Sequence, residues 1–136
     1  MNNEVANLEN VKALLFSINV SYENMLKGKY PVARKSLLDC VQKYWKINPE
    51  RANNADFVFG IYKNEIKAVA KILKPWKRVS EYIQEGYFKD DDELKENPSY
   101  YDRYAFVGES IEDSPYLGKR LSAEDTLHFE KKYKNC

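Results

Sequence analysis

The segment from Phe57 to Leu73 constrains this chain more than any other. Phe57, Phe59 and Ile61 alternate on one face, and after Lys63-Asn64 the residues Ile66, Ala68, Ala70 and Ile72 alternate again. A period of two marks a strand, because successive side chains point to opposite faces of a sheet. Two such runs across a short polar joint predict a β-hairpin. Asn64 can take the positive φ of a tight turn, although Lys-Asn is a weaker turn pair than Asn-Gly. Lys67 and Lys71 share a face with Val69 and Leu73, so that face is expected to be partly wet. Pro75 is expected to end the pairing, with Trp76-Lys77-Arg78 just beyond it. A helical bundle does not fit this pattern.

The flanking segments extend the reading to a mixed α+β chain. Lys12 to Val20 is a compact apolar run with β-branched Ile18 and Val20, which predicts a buried strand. Ser21 to Tyr30, with Gly28 as a turn signal, is either a short helix or a loop. Pro31 suits a first helical turn, and Leu37, Val41, Tyr44 and Trp45 then recur at helical spacing, predicting a helix over 31–46. Its polar side carries Lys35, Asp39, Gln42, Lys43 and Lys46. Asn48-Pro49-Glu50-Arg51 predicts a second short helix, capped by Asn48 with Pro49 at its first position. Arg103 to Val107 reads as a strand with Tyr104 and Phe106 on one face, and Gly108 permits a bend. Tyr116 to Leu121 reads as a closing turn and possible last strand. Ser122-Ala123-Glu124-Asp125 predicts the start of a C-terminal helix. Residues 1–10 are expected to fray. Lys89 to Glu96 looks like an exposed insertion.

Charge placement says more than total charge. The 136 residues carry a net charge of +1. Lys27 to Arg78 holds 13 basic and four acidic residues, a local +9, whereas Glu81 to Asp113 holds 11 acidic and three basic ones, a local −8. Two arrangements fit these blocks: mutual neutralisation across the fold, or a basic face tuned to an anion such as a phosphate backbone. With 43% hydrophobic and 32% charged residues the chain can build one core. The longest apolar run, Ala13-Leu14-Leu15-Phe16, excludes a membrane-spanning helix, and no signal-peptide layout opens the chain. Cys40 and Cys136 give no disulfide framework. A soluble cytoplasmic domain is expected.

Several chemistries lack their residues. His128 is the lone histidine, so neither a His-based metal site nor a His base has support. No phosphate-cradling glycine loop occurs among five glycines. Asp90-Asp91-Asp92-Glu93 lacks the spaced ligands of a calcium loop and reads as a charged loop. No catalytic residue, metal or cofactor is expected.

The order of motifs resembles a known superfamily. An Ile18-Asn19-x-Ser21-Tyr22 strand end precedes Leu37 and the Tyr44-Trp45 pair. Arg51-Ala52, Tyr62 and Trp76 follow, then Arg103-Tyr104-x-Phe106 with Gly108, and Tyr116-x-Gly118-Lys119 closes the pattern. Across about Leu14 to Leu121 this is similar to small bacterial proteins related to the PUA, ASCH and EVE domains. The stretch from Ser17 to Lys29 also looks like the opening of an ASCH domain.

The resemblance implies a PUA-like small mixed β-barrel of five or six strands with flanking helices. It would occupy 11–121, with an acidic insertion at 81–102 and a C-terminal helix or tail at 122–136. It further implies a nucleic-acid binding module that accepts RNA or a modified base without catalysis of its own. The pocket expected on that basis has Asn19, Tyr22, Trp45, Tyr62, Trp76 and Arg103 around the base. Lys43, Arg51, Lys77 and Arg78, all within the basic block, would meet phosphates, and the acidic 81–113 segment would turn away. A monomer or weak dimer is expected. Two alternatives stay open: a hydrolase acting on RNA or modified nucleosides, and a protein–protein interaction module.

Overall fold

A computed structural model describes residues 4–28, 34, 36–89 and 91–136. The expected roles of Pro31, Lys35 and Asp90, and the end of the ASCH-like opening at Lys29, lie outside the described residues. The elements run β1 (Ala13–Ser17), α1 (Asn19–Lys27), α2 (Leu37–Gln42), α3 (Pro49–Ala52), β2 (Phe57–Tyr62), β3 (Glu65–Arg78), α4 (Val79–Gln84), α5 (Asp92–Glu96), a 3₁₀ turn (Pro98–Asp102), β4 (Tyr104–Ser110) and β5 (Lys131–Lys134). The fold is α+β, built on one five-stranded mixed sheet in the order β4-β3-β2-β1-β5. Strands β1 and β2 are parallel, joined by the crossover through α1, α2 and α3, and the other neighbours are antiparallel.

The hairpin forms where the alternation places it. Lys63 and Asn64 both take positive φ, 49° and 65°, as a two-residue turn joining right-twisted strands requires. β2 and β1 are central and buried on both faces. Leu14, Phe16 and Val58 face the helical side, while Leu15, Phe59 and Ile61 face a second layer made by the N-terminal segment and the 111–127 loops. Gly60 lets α2 lie close: a Cβ there would sit 2.7 Å from a Val41 methyl. A register shift at Gly60/Ile61 turns Ile66 away from Ala68 and Ala70, so the expected single alternating face is split between the two layers.

Several expectations are corrected. The sheet is open rather than a closed barrel, with β4 and β5 at opposite edges. It does curl: Trp45 bridges the outer edge of β4 at Tyr104, yet its ring stacks on Phe16 of β1, centroids 4.0 Å apart. That dual use of Trp45 also ends the expected 31–46 helix at Gln42, because Lys43 is extended and Tyr44 and Trp45 leave in different directions. Asn19 and Val20 begin α1 rather than ending β1. Pro75 does not end the pairing. β3 runs on to Arg78, and Pro75 falls in the irregular stretch between Lys74 and Lys77, where the ladder needs no donor from it.

The termini and the acidic segment also differ from expectation. Ser122 does cap, accepting from the Asp125 amide, but the expected C-terminal helix stops after that turn, and the chain returns as β5 against β1. The Tyr116–Leu121 turn forms without a full strand, reaching only isolated bridges from Arg120 to Val5 and Glu65. Ala6 and Leu8 are buried, so this part of the N-terminus is packed rather than frayed. The acidic segment is no exposed flap: Leu94 and Tyr82 are fully buried in a third cluster with Tyr44 and Ala105.

Candidate nucleotide-binding cleft

The Trp45–Tyr104 bridge opens a cleft of about 410 Å³ between α1, the 43–46 segment, α5 and the 3₁₀ turn. That lies in the range of small-molecule sites, roughly 300–1,000 Å³. Tyr44, Trp45 and Tyr100 are among the residues that line it. Trp45 is half-buried; Phe16 backs its ring and its indole N–H donates to the Val41 carbonyl, 2.9 Å away, which fixes the ring plane.

Beneath the cleft lies an ion network between the basic and acidic blocks. Arg34 pairs with Glu93: Nη2 donates to Oε2 at 2.8 Å, and Nε lies 2.6 Å from Oε1 without hydrogen-bond geometry. The Nη2 bond is charge-assisted on both sides, which makes it stronger than a neutral one. Burial works against the Arg34 charge, but Glu93 outweighs it and raises the guanidinium above its usual range. Lys43, 7% exposed, is pinned between Asp39 at 2.9 Å and Asp91. Tyr44 donates its hydroxyl to Asp91 at 2.6 Å, and burial together with that bond holds its phenol well above the usual range, so it remains a donor. Burial pushes the Asp91 carboxyl up, but the bonds from Lys43 and Tyr44 prevail and it titrates below the usual carboxylate range.

Two cations at the cleft are not consumed in this way. Arg103 lies over the Tyr100 ring, 4.2 Å from its centroid, and donates weakly to the Tyr44 carbonyl at 3.4 Å. Lys46 is exposed and lines the same cleft. Neither has a carboxylate within ion-pair distance among the described residues. Lys46 gave no sign in the sequence, where it falls on the polar side of an expected helix; only its place beside the bridge brings it in.

Of the expected pocket residues, the structure brings Trp45, Lys43 and Arg103 to the cleft. The others are placed elsewhere. Asn19 accepts from the Lys63 amide at 3.0 Å and holds the hairpin turn. Tyr22 and Tyr62 pack edge to face, 4.7 Å apart, and Tyr62 donates to Glu23. Trp76 is core, 3% exposed against Phe16 and Phe106, and its indole N–H has no partner among the described residues. Its backbone is clasped by the Asn53 side chain. Arg51 donates to the Cys136 carbonyl and lies over Tyr133. Lys77 pairs with Glu85 at 2.6 Å, and Arg78 donates to the Asp102 carbonyl over the Tyr104 ring.

The acidic segment does not turn away, because Glu93 is part of the cleft wall. Asp91 and Glu93 serve as ion-pair partners, and among the described residues no group of three His, Cys, Asp or Glu is arranged to hold a metal ion. No helix among them is long and apolar enough to cross a membrane. In comparisons with known proteins the chain matches no protein-family model, no curated protein and no solved structure.

Proposed function

We propose that the cleft seats one base of a nucleic acid, RNA or a base-modified strand, and that the protein is a binding module. The observation that carries the reading is Trp45, half-buried at the cleft wall and backed by Phe16, beside Arg103, which lies over Tyr100 with no carboxylate in ion-pair distance among the described residues. Together they offer a flat apolar surface next to positive charge, which is what an unstacked base with its phosphate requires. Stacking on an aromatic ring contributes about 1–3 kcal/mol per base, enough to offset part of the cost of drawing a base from its neighbours. The resemblance in motif order to PUA, ASCH and EVE domains supports the same reading, with an open curled sheet standing in for the barrel. It carries with it a cytoplasmic monomer or weak dimer.

The test is a titration against plain and base-modified RNA and DNA at two salt concentrations, followed by the fluorescence of the two tryptophans. Binding tighter than the non-specific range of about 10⁻⁴–10⁻⁶ M supports the assignment. Lys77→Ala with Arg78→Ala, outside the cleft, is the control and leaves affinity unchanged. If no oligonucleotide exceeds the non-specific range, the assignment fails. Reproducible cleavage of an RNA or modified nucleoside would favour the hydrolase, and a stable dimer without nucleic-acid affinity the interaction module.

A further inference from the structure

The Trp45–Tyr104 contact is a true antiparallel step, since each backbone N–H donates to the other's carbonyl at 3.0 and 2.9 Å. Lys46 follows Trp45 and Arg103 precedes Tyr104, so the two cations flank this isolated bridge, and both line the cleft. Like charges lining one cleft repel each other. Elsewhere the fold resolves such crowding by pairing: Lys71, Lys74 and Lys77 of the basic block all meet Glu109 or Glu85 of the acidic block. Lys46 and Arg103 have no such partner among the described residues, and both line the cleft.

Resting on the base-binding reading above, we infer that Lys46 and Arg103 form an anion subsite for one phosphate, and that the protein meets its ligand at a single phosphorylated nucleotide unit rather than along a length of strand. The second half follows from the surroundings. A polymer gains affinity by laying successive phosphates on successive free cations, and each contact adds to the salt dependence. Here Arg34 and Lys43 beside the cleft are already spent on Glu93 and Asp91. Glu130, an exposed carboxylate that lines the same cleft, then repels a second phosphate there.

The experiment compares the four ribonucleosides, their 5′-monophosphates, a base-methylated pair of each, and RNA oligomers of two to twelve residues. The expected result is that monophosphates bind at least tenfold more tightly than their nucleosides, and that lengthening the chain adds less than threefold. Lys46→Ala, at an exposed residue without an ion-pair partner among the described residues, removes the phosphate increment and leaves nucleoside binding intact; Lys46→Arg, which keeps the charge, retains the increment and serves as the second variant. Nucleosides binding as tightly as monophosphates would overturn the subsite. Affinity that climbs with length would overturn the single-unit contact, as would a twelve-residue RNA whose log K falls with log salt at a slope of about −2 or steeper, meaning three or more phosphates met at roughly 0.7 each. In both cases base binding would stand. No binding by any of these compounds would instead sink the base-binding reading itself.

Discussion

Replacing Asp91 by alanine is the sharpest test of how the cleft wall is held. Asp91 accepts from the Lys43 ammonium, from the Tyr44 hydroxyl at 2.6 Å, and from the Glu93 amide at 2.9 Å, where it caps α5. Both members of the ion pair are largely buried, with side-chain exposures of 9% for Lys43 and 13% for Asp91. Loss of an N-cap costs about 1 kcal/mol, and a buried hydroxyl left unpaired about 1–3 kcal/mol. A fully orphaned buried charge costs about 3–5 kcal/mol, but Lys43 keeps Asp39, so only part of that applies. The expected total is roughly 3–5 kcal/mol, read from urea unfolding with the slope unchanged. Lys43→Met combined with Asp91→Ala should lose less than the two single losses added together, by at least ~1 kcal/mol, because the residues share one network. A single-variant loss below about 1 kcal/mol, or strict additivity, would refute the buried-network account, since that is how solvated surface pairs behave. The pH dependence gives an independent reading. The folded Asp91 carboxyl titrates below its unfolded value, so its contribution is complete above about pH 4 and is lost as pH falls through the folded value. Asp91→Asn should remove that part of the acid sensitivity.

Trp76→Phe should leave stability within about 1 kcal/mol of the parent, because the smaller ring also deletes a buried N–H that has no partner among the described residues, whereas Trp76→Ala should cost about 3–5 kcal/mol. A thermal or urea unfolding series measures both, and a Phe loss above ~2 kcal/mol would show the N–H to be satisfied. Gly108→Ala should destabilise by about 1–3 kcal/mol in the same assay, since its Cβ would meet the Phe106 ring at 2.3 Å and the Lys71 carbonyl at 2.6 Å. Burial pushes the Cys40 thiol up to about 11, so at pH 8 it holds little thiolate. Mass spectrometry after brief iodoacetamide treatment should find Cys40 unmodified in the native protein and labelled in urea; equal rates would contradict its burial.

What was legible in the sequence was local. The hairpin's turn, the Asn48-Pro49 cap and the Tyr104/Phe106 face each rest on residues within a few positions of one another, and each forms where the pattern places it, although a register shift splits the hairpin's second alternating face between two layers. What was not legible depended on a distant partner. β5 reads Lys-Lys-Tyr-Lys, which no burial pattern marks as a strand; it is one because the edge of β1 lies free for it, and only Tyr133 joins a core cluster. The helix over 31–46 had the right spacing, but Trp45 gains more from stacking on Phe16 and bridging Tyr104 than from another helical turn. Of the cleft, Trp45, Lys43 and Arg103 were in view. Lys46 was not, because its significance depends on the bridge that Trp45 makes with Tyr104.

The charge blocks make the same point about function. Read along the chain, a basic run followed by an acidic run suggests a polyanion-binding face and an acidic flap held clear of it. In the fold five residues of the basic run pair with four of the acidic run. Arg34 and Glu93 are 59 residues apart, Lys43 and Asp91 48, and Lys71, Lys74 and Lys77 complete the set with Glu109 and Glu85. The surface pairs among these contribute little each, and only the buried two at the cleft wall exact a large penalty when broken. Segment charge therefore specifies mainly where the acidic helices dock. The charge left to recognise a ligand is what this pairing does not consume at the cleft, Lys46 and Arg103, and two cations at one cleft suit one phosphate better than a strand.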